Sequence, residues 1–128
     1  MQITLDRLDY MVMPCRDVEA IADFYVRALD MEKGIFGDGR LALHFGWQKI
    51  NLQEAGNYSG LHAPQHLVGT QDFCLITAPP IADIKRELET RGIDIIAGPV
   101  ERTGAGGVLS SIYFRNPEGN LVEISNYD

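Results

Sequence analysis

Apolar residues recur along this chain in two rhythms, and the order of those rhythms is repeated. Leu8 to Pro14 (Leu-Asp-Tyr-Met-Val-Met-Pro) predicts a strand. Asp17 follows where a helix N-cap belongs, and Val18, Ile21, Ala22, Tyr25 and Leu29 then fall at helical spacing. Gly34 lies beyond that helix, and Arg40 to Gln53 reads as two strands broken near Gly46-Trp47. The second half returns to the same order. Asp72 to Thr77 predicts a strand, Pro79-Pro80 opens a helix carrying Ile81, Ile84 and Leu88, and Gly92 closes it. Ile93 to Ile96, Val108 to Arg115 and Leu121 to Ser125 predict strands, with Asn116-Pro117-Glu118-Gly119 as a tight turn before the last. The expectation is an α+β chain of two βαβββ modules, about 5–54 and 71–127, in a single domain spanning 1–128.

The stretch between them, 55–70, is rich in Gly, Asn, Ser, His and Pro and keeps no period, which predicts a linker. His62 and His66 have a helical ligand spacing, but Pro64 between them disfavours a regular turn, so both are read as loop residues. Gly104-Ala105-Gly106-Gly107 reads as a hairpin connection, because a phosphate loop needs a strand before it and a helix after it.

Side chains change face at every step of a strand, so a sheet covered by helices on one side sorts its residues by parity. Leu41, Leu43 and Phe45 oppose Arg40, Ala42 and His44; Ile50 and Leu52 oppose Lys49, Asn51 and Gln53. In the second module Ile112 and Phe114 oppose Ser111, Tyr113 and Arg115, and Val122 and Ile124 oppose Leu121, Glu123 and Ser125. The face away from the helices therefore collects Tyr10, His44, Asn51, Gln53, Asp72, Tyr113, Arg115 and Glu123. Leu8, Val12, Cys74, Ile76 and Leu121 are mixed among them, which suits a partly dry site on a curved mixed sheet with its helices outside.

Composition narrows the function classes. The chain has 128 residues, 45% hydrophobic and 23% charged, and a net charge of −7. With no basic run, that acidity argues against nucleic acid or an anionic membrane as partner. No stretch has the length of a membrane span, and Met1 to Arg7 lacks the pattern of a secretory signal, so the cytoplasm is the expected location. Cys15 and Cys74 lie in apolar runs and read as buried reduced thiols.

The repeat, the segment Asp17-Val18-Glu19-Ala20-Ile21-Ala22-Asp23-Phe24-Tyr25 and the closing Arg115-Asn116-Pro117-Glu118-Gly119-Asn120-Leu121-Val122-Glu123-Ile124 resemble the vicinal-oxygen-chelate superfamily. Gln48-Lys49-Ile50-Asn51-Leu52 and Gly98 to Ala105 are similar to small glyoxalase-domain proteins within it. The resemblance implies a small-molecule pocket between the modules and a homodimer. It also implies one metal ion held by the first and last strands of both modules. The matching positions are Tyr10, Gln53 (or Asn51, one pleat away), Asp72 and Glu123, where His would be expected at Tyr10 and Gln53.

Those departures change the chemistry. A phenol must lose a proton before it competes with imidazole for a transition ion. Gln53, Asp72 and Glu123 would form an all-oxygen set, favouring Mg²⁺ or Mn²⁺ over Zn²⁺ or Fe²⁺. Ring-cleaving dioxygenase chemistry, which needs two His and a carboxylate, is thereby disfavoured. One expectation is a metal-free small-molecule binder contacting its ligand through Tyr10, His44, Asn51, Trp47, Tyr113 and Arg115. The alternative is a metal-dependent lyase or isomerase of glyoxalase type, with Glu123 or Asp72 as ligand or base. A blander possibility pairs Asp72 and Glu123 with Lys49 or Arg115 across the sheet.

Overall fold

The computed structural model describes residues 1–57 and 60–128; of the linker, Tyr58 and Ser59 lie outside the described residues. The chain divides into two compact units, Met1–Leu67 and Val68–Asp128. Each has the same order of elements. In the first, β1 (Tyr10–Cys15) leads to α1 (Val18–Leu29), then β2 (Glu32–Phe36), β3 (Arg40–Phe45) and β4 (Gln48–Glu54). In the second, β5 (Asp72–Ile76) leads to α2 (Ile81–Thr90), β6 (Ala97–Gly104), β7 (Gly107–Arg115) and β8 (Leu121–Tyr127). The mixed sheet resolves into two four-stranded sheets, ordered β1-β4-β3-β2 and β5-β8-β7-β6, with one parallel pair in each.

The helix signals act as the sequence implies. The Asp17 carboxylate accepts from the Ala20 backbone N–H at 3.0 Å, relieving one orphan donor of the first turn. Asp30 then takes a left-handed conformation (φ 56°), and its N–H returns to the Tyr25 and Val26 carbonyls. Ile21, Ala22, Tyr25 and Ala28 are buried on α1, and Met13, Cys15, Leu43, Ile50 and Leu52 are buried in the strands of the same unit. Each large side chain there contributes roughly 1.5–3 kcal/mol by leaving water. The core of the second unit is Ile81, Leu88, Ile112, Phe114, Val122 and Ile124, on α2, β7 and β8.

Three expectations need correction. Glu32–Phe36 is a strand the periodicity did not reveal; its two leading charged residues are exposed, so it carries no apolar alternation. Ile93 to Ile96 is not a strand: Gly92 turns the chain at φ 80°, Ile93 N–H caps α2 through the Leu88 carbonyl, and the strand begins at Ala97. Cys74 is exposed rather than buried, because it points to the face without the helix, whereas Cys15 is buried; both are free thiols. No helix among the described residues is long and apolar enough to cross a membrane.

Candidate functional site

The strand ladders place the polar residues of each unit as parity predicted. In the first unit, Tyr10 pairs with Lys49, Val12 with Asn51 and Pro14 with Gln53 between β1 and β4. Across β4 and β3, Asn51 pairs with Ala42 and Lys49 with His44. Tyr10, His44, Asn51 and Gln53 therefore share one face. The Tyr10 side is 52% exposed, and the Lys49 ammonium stands 5.3 Å from its ring centroid and 3.9 Å from that of Phe36. Arg40 stacks on the same Phe36 ring at 4.6 Å. The His44 ring leans diagonally over Gly34, where a Cβ would lie 3.0 Å from the imidazole, so the missing side chain gives the ring its place. The Asn51 Oδ1 is buried with no hydrogen-bond partner among the described residues. Trp47 sits at the tip of the β3–β4 turn and is 89% exposed.

Gln53 lies further along β4 and lines a cleft of about 640 Å³ with Glu19, Asp38, Arg40, Glu54 and Asn57. Its carboxylates and guanidinium make it polar.

In the second unit, Asp72 pairs with Leu121 and Cys74 with Glu123 between β5 and β8; Tyr113 and Arg115 flank Glu123 and Leu121 from β7. Glu123 is thus bracketed by Cys74 and Tyr113. Ser125 hydroxyl donates to Glu123 Oε2 at 3.2 Å, lies 2.6 Å from the buried Ser111 hydroxyl and 3.2 Å from Cys74 Sγ. A hydroxyl has one proton, so with Ser125 donating to Glu123, Ser111 supplies the proton of the shorter contact. Tyr113 hydroxyl accepts from Arg102 Nε at 2.9 Å.

The charges on this face set its proton chemistry. Desolvation against the sheet pushes the Cys74 thiol above its usual range; the Ser125 hydrogen bond opposes this, and the Glu123 charge adds to it. Desolvation likewise raises the Tyr113 phenol, with Arg102 pulling against it and Glu123 reinforcing it. Both groups are held protonated beside a carboxylate, which makes them hydrogen-bond donors rather than nucleophiles.

The two registers also align the repeat residue by residue. Asn51 faces the third residue of β1, as Glu123 faces the third residue of β5. Asn51 is therefore the positional counterpart of Glu123, with Gln53 one pleat beyond it, while Tyr10 and Asp72 each begin their strands. Within the second unit, and among the described residues, Arg115 makes no ion pair with Asp72 or Glu123: its guanidinium donates to the Gly119 carbonyl at 3.0 Å. Among the described residues no group of three or more His, Cys, Asp or Glu side chains is arranged around a common point. His62 and His66 are loop residues with rings 5.9 Å apart, and desolvation, then His62, lowers the pKa of His66.

Sequence reasoning missed Lys49 as part of the site, and Arg102, Cys74, Ser111 and Ser125 as the surroundings of Glu123. The alternation already placed Lys49, Cys74, Ser111 and Ser125 on the correct face. Arg102 had no such signal, because β6 is interrupted by a register shift between Ala97 and Val100.

No known family profile matches the chain. Individual proteins do. A glyoxalase domain-containing protein of Mycosarcoma maydis is 44% identical over 126 residues, 98% of this chain and 71% of the relative. A virulence protein of Salmonella typhimurium is 43% identical over 126 residues, 98% of this chain and 88% of the relative. Among solved structures, an integron cassette protein from the mobile metagenome of V. Cholerae superposes with a TM-score of 0.96 at 41% identity, covering 100% of both chains. The shared repeat, its register and these relatives agree: the chain belongs to the glyoxalase domain-containing proteins of the vicinal-oxygen-chelate superfamily.

Proposed function

We propose that this protein binds a small organic molecule through the strand faces turned away from its helices, and does so without a transition-metal ion. The observation that carries the reading is Tyr10. It stands where the resemblance would have a histidine ligand, and a cationic side chain, Lys49, lies against its ring. A transition ion there would need a deprotonated phenol and would sit beside an ammonium. Its neighbour in the repeat, Asn51, offers a neutral amide oxygen, a poor partner for Zn²⁺ or Fe²⁺. The donors of the first unit do not fit such a centre. They do fit an organic ligand: aromatic rings, a cation and an acceptor in need of a donor.

In the second unit the same reading gives Glu123 and Tyr113 the task of orienting polar groups of the ligand. Tyr113, kept protonated, donates; Glu123 accepts. Arg115 and Asp72 at the strand ends, and Trp47 at its hairpin tip, are the outer contacts.

The test is a thermal-shift screen of uncharged, anionic and cationic small molecules against chelator-treated protein, followed by calorimetry of the hits. Saturable binding that survives chelator and weakens at least tenfold in Tyr10→Ala is expected. Binding that appears only after Mg²⁺, Mn²⁺, Zn²⁺ or Fe²⁺ is restored would overturn the reading in favour of a metal-dependent lyase or isomerase.

A further inference from the structure

Resting on the binding reading above, we propose that Lys49 anchors an anionic group of the ligand, and that the ligand class is small organic acids carrying an N–H or O–H donor. Lys49 is half-buried, and its ammonium is held between two aromatic rings, 3.9 Å from Phe36 and 5.3 Å from Tyr10. Ring faces hold a cation in place but cannot neutralise it. Among the described residues no carboxylate lies within ion-pair distance of Lys49.

A second cation reinforces the field. Arg40 shares the Phe36 ring, and its ion-pair partner, Asp38, lies 3.7 Å away with its side chain 95% exposed, so solvent screens that pair. Glu32, opposite His44 on β3, is exposed as well. A chain of net charge −7 thus turns a fixed ammonium and a guanidinium outward at the site where its aromatic rings are also open.

Asn51 supplies the second half of the specificity. It lies two residues from Lys49 on the same face, roughly 6.6 Å along the strand. Its buried Oδ1 has no donor among the described residues. A buried acceptor left unpaired is costly, and a ligand N–H or O–H removes that cost. An acid alone satisfies Lys49; an acid with a donor satisfies both.

The experiment measures calorimetric affinities, on the full chain, of hydroxybenzoates, indole carboxylates and N-acetyl aromatic amino acids, each paired with its neutral methyl ester. The acids are expected to bind at least tenfold more tightly than their esters. Lys49→Met should remove that difference, Lys49→Arg should keep most of it, and Asn51→Leu should weaken acids and esters alike. Lys49→Gln repeats the test if the Met variant unfolds. Esters binding as well as acids, or acid affinity unchanged in Lys49→Met and Lys49→Gln, would overturn the inference. If neutral or cationic molecules from the wider screen bind while no acid does, this inference falls and the binding reading stands. If nothing of any charge binds, both fall.

Discussion

Replacing Asn116 by alanine tests how much the closing turn contributes to the stability of the second unit. Asn116 is 4% exposed, and its Oδ1 accepts three hydrogen bonds: from Glu118 N at 3.0 Å, Asn120 N at 3.1 Å and Asn120 Nδ2 at 3.2 Å. Asn120 is fully buried and its own Oδ1 accepts from Gln71 N at 2.9 Å, which ties the start of β8 to the approach of β5. Alanine leaves two Asn120 donors without that acceptor inside the protein, while water can reach the half-buried Glu118 N–H. At about 1–3 kcal/mol for each stranded buried donor, with some relaxation, the loss is about 2–4 kcal/mol. That is a large share of the ~5–15 kcal/mol by which domains of this size are stable. Urea unfolding followed by far-ultraviolet dichroism should show a lower midpoint at unchanged slope. Asn116→Asp keeps the acceptor and should recover at least half of the loss. A cost under about 1 kcal/mol for alanine, or an equal cost for both variants, would refute the reasoning.

Gly98→Ala should destabilise the second unit by about 3 kcal/mol or more; its Cβ would lie 2.3 Å from the Ser111 carbonyl oxygen at a backbone φ of +101°, and urea unfolding reads the change. Asp17→Ala removes the α1 cap and should cost about 1 kcal/mol, seen in the same assay, with Asp17→Asn nearly neutral. Cys74 should be alkylated by iodoacetamide more slowly at pH 8 than free cysteine, and Glu123→Gln should speed it by removing the charge that disfavours the thiolate. The raised Cys74 and Tyr113 values also predict stability that is full below the ordinary thiol and phenol ranges and falls as pH rises through the folded values. Unfolding midpoints that rise between pH 8 and pH 11 would contradict that sign.

Much of this was legible in the sequence because the periods of helix and strand leave visible traces. The Asp17 cap, the parity that gathered Tyr10, His44, Asn51 and Glu123 on helix-free faces, and the Asn116–Gly119 turn all follow from local chemistry. What escaped depended on partners distant in sequence. β2 shows no alternation and is a strand because β3 pairs with it. Arg102 reaches Tyr113 only through the bulged β6–β7 ladder. Cys74 reads as a buried thiol because its neighbours Phe73 and Leu75 are apolar, although alternation already places it on the face it shares with Glu123; its exposure is what escaped. That Asn51 rather than Gln53 is the positional counterpart of Glu123 needed the registers of β1 with β4 and of β5 with β8, which no single-strand pattern contains.

On the reading proposed above, Tyr10 and Asn51 stand where the superfamily's transition ion would find its donors, Lys49 crowds the place, and ligand binding works without that ion. Elemental analysis of the purified protein, followed by calorimetric titration of the chelator-treated chain with Zn²⁺, Fe²⁺, Mn²⁺ and Mg²⁺, tests it directly. The account predicts less than a tenth of an equivalent of bound Zn or Fe and no saturable heat with either. Stoichiometric, tight Zn²⁺ or Fe²⁺ binding that disappears in Glu123→Ala would contradict it.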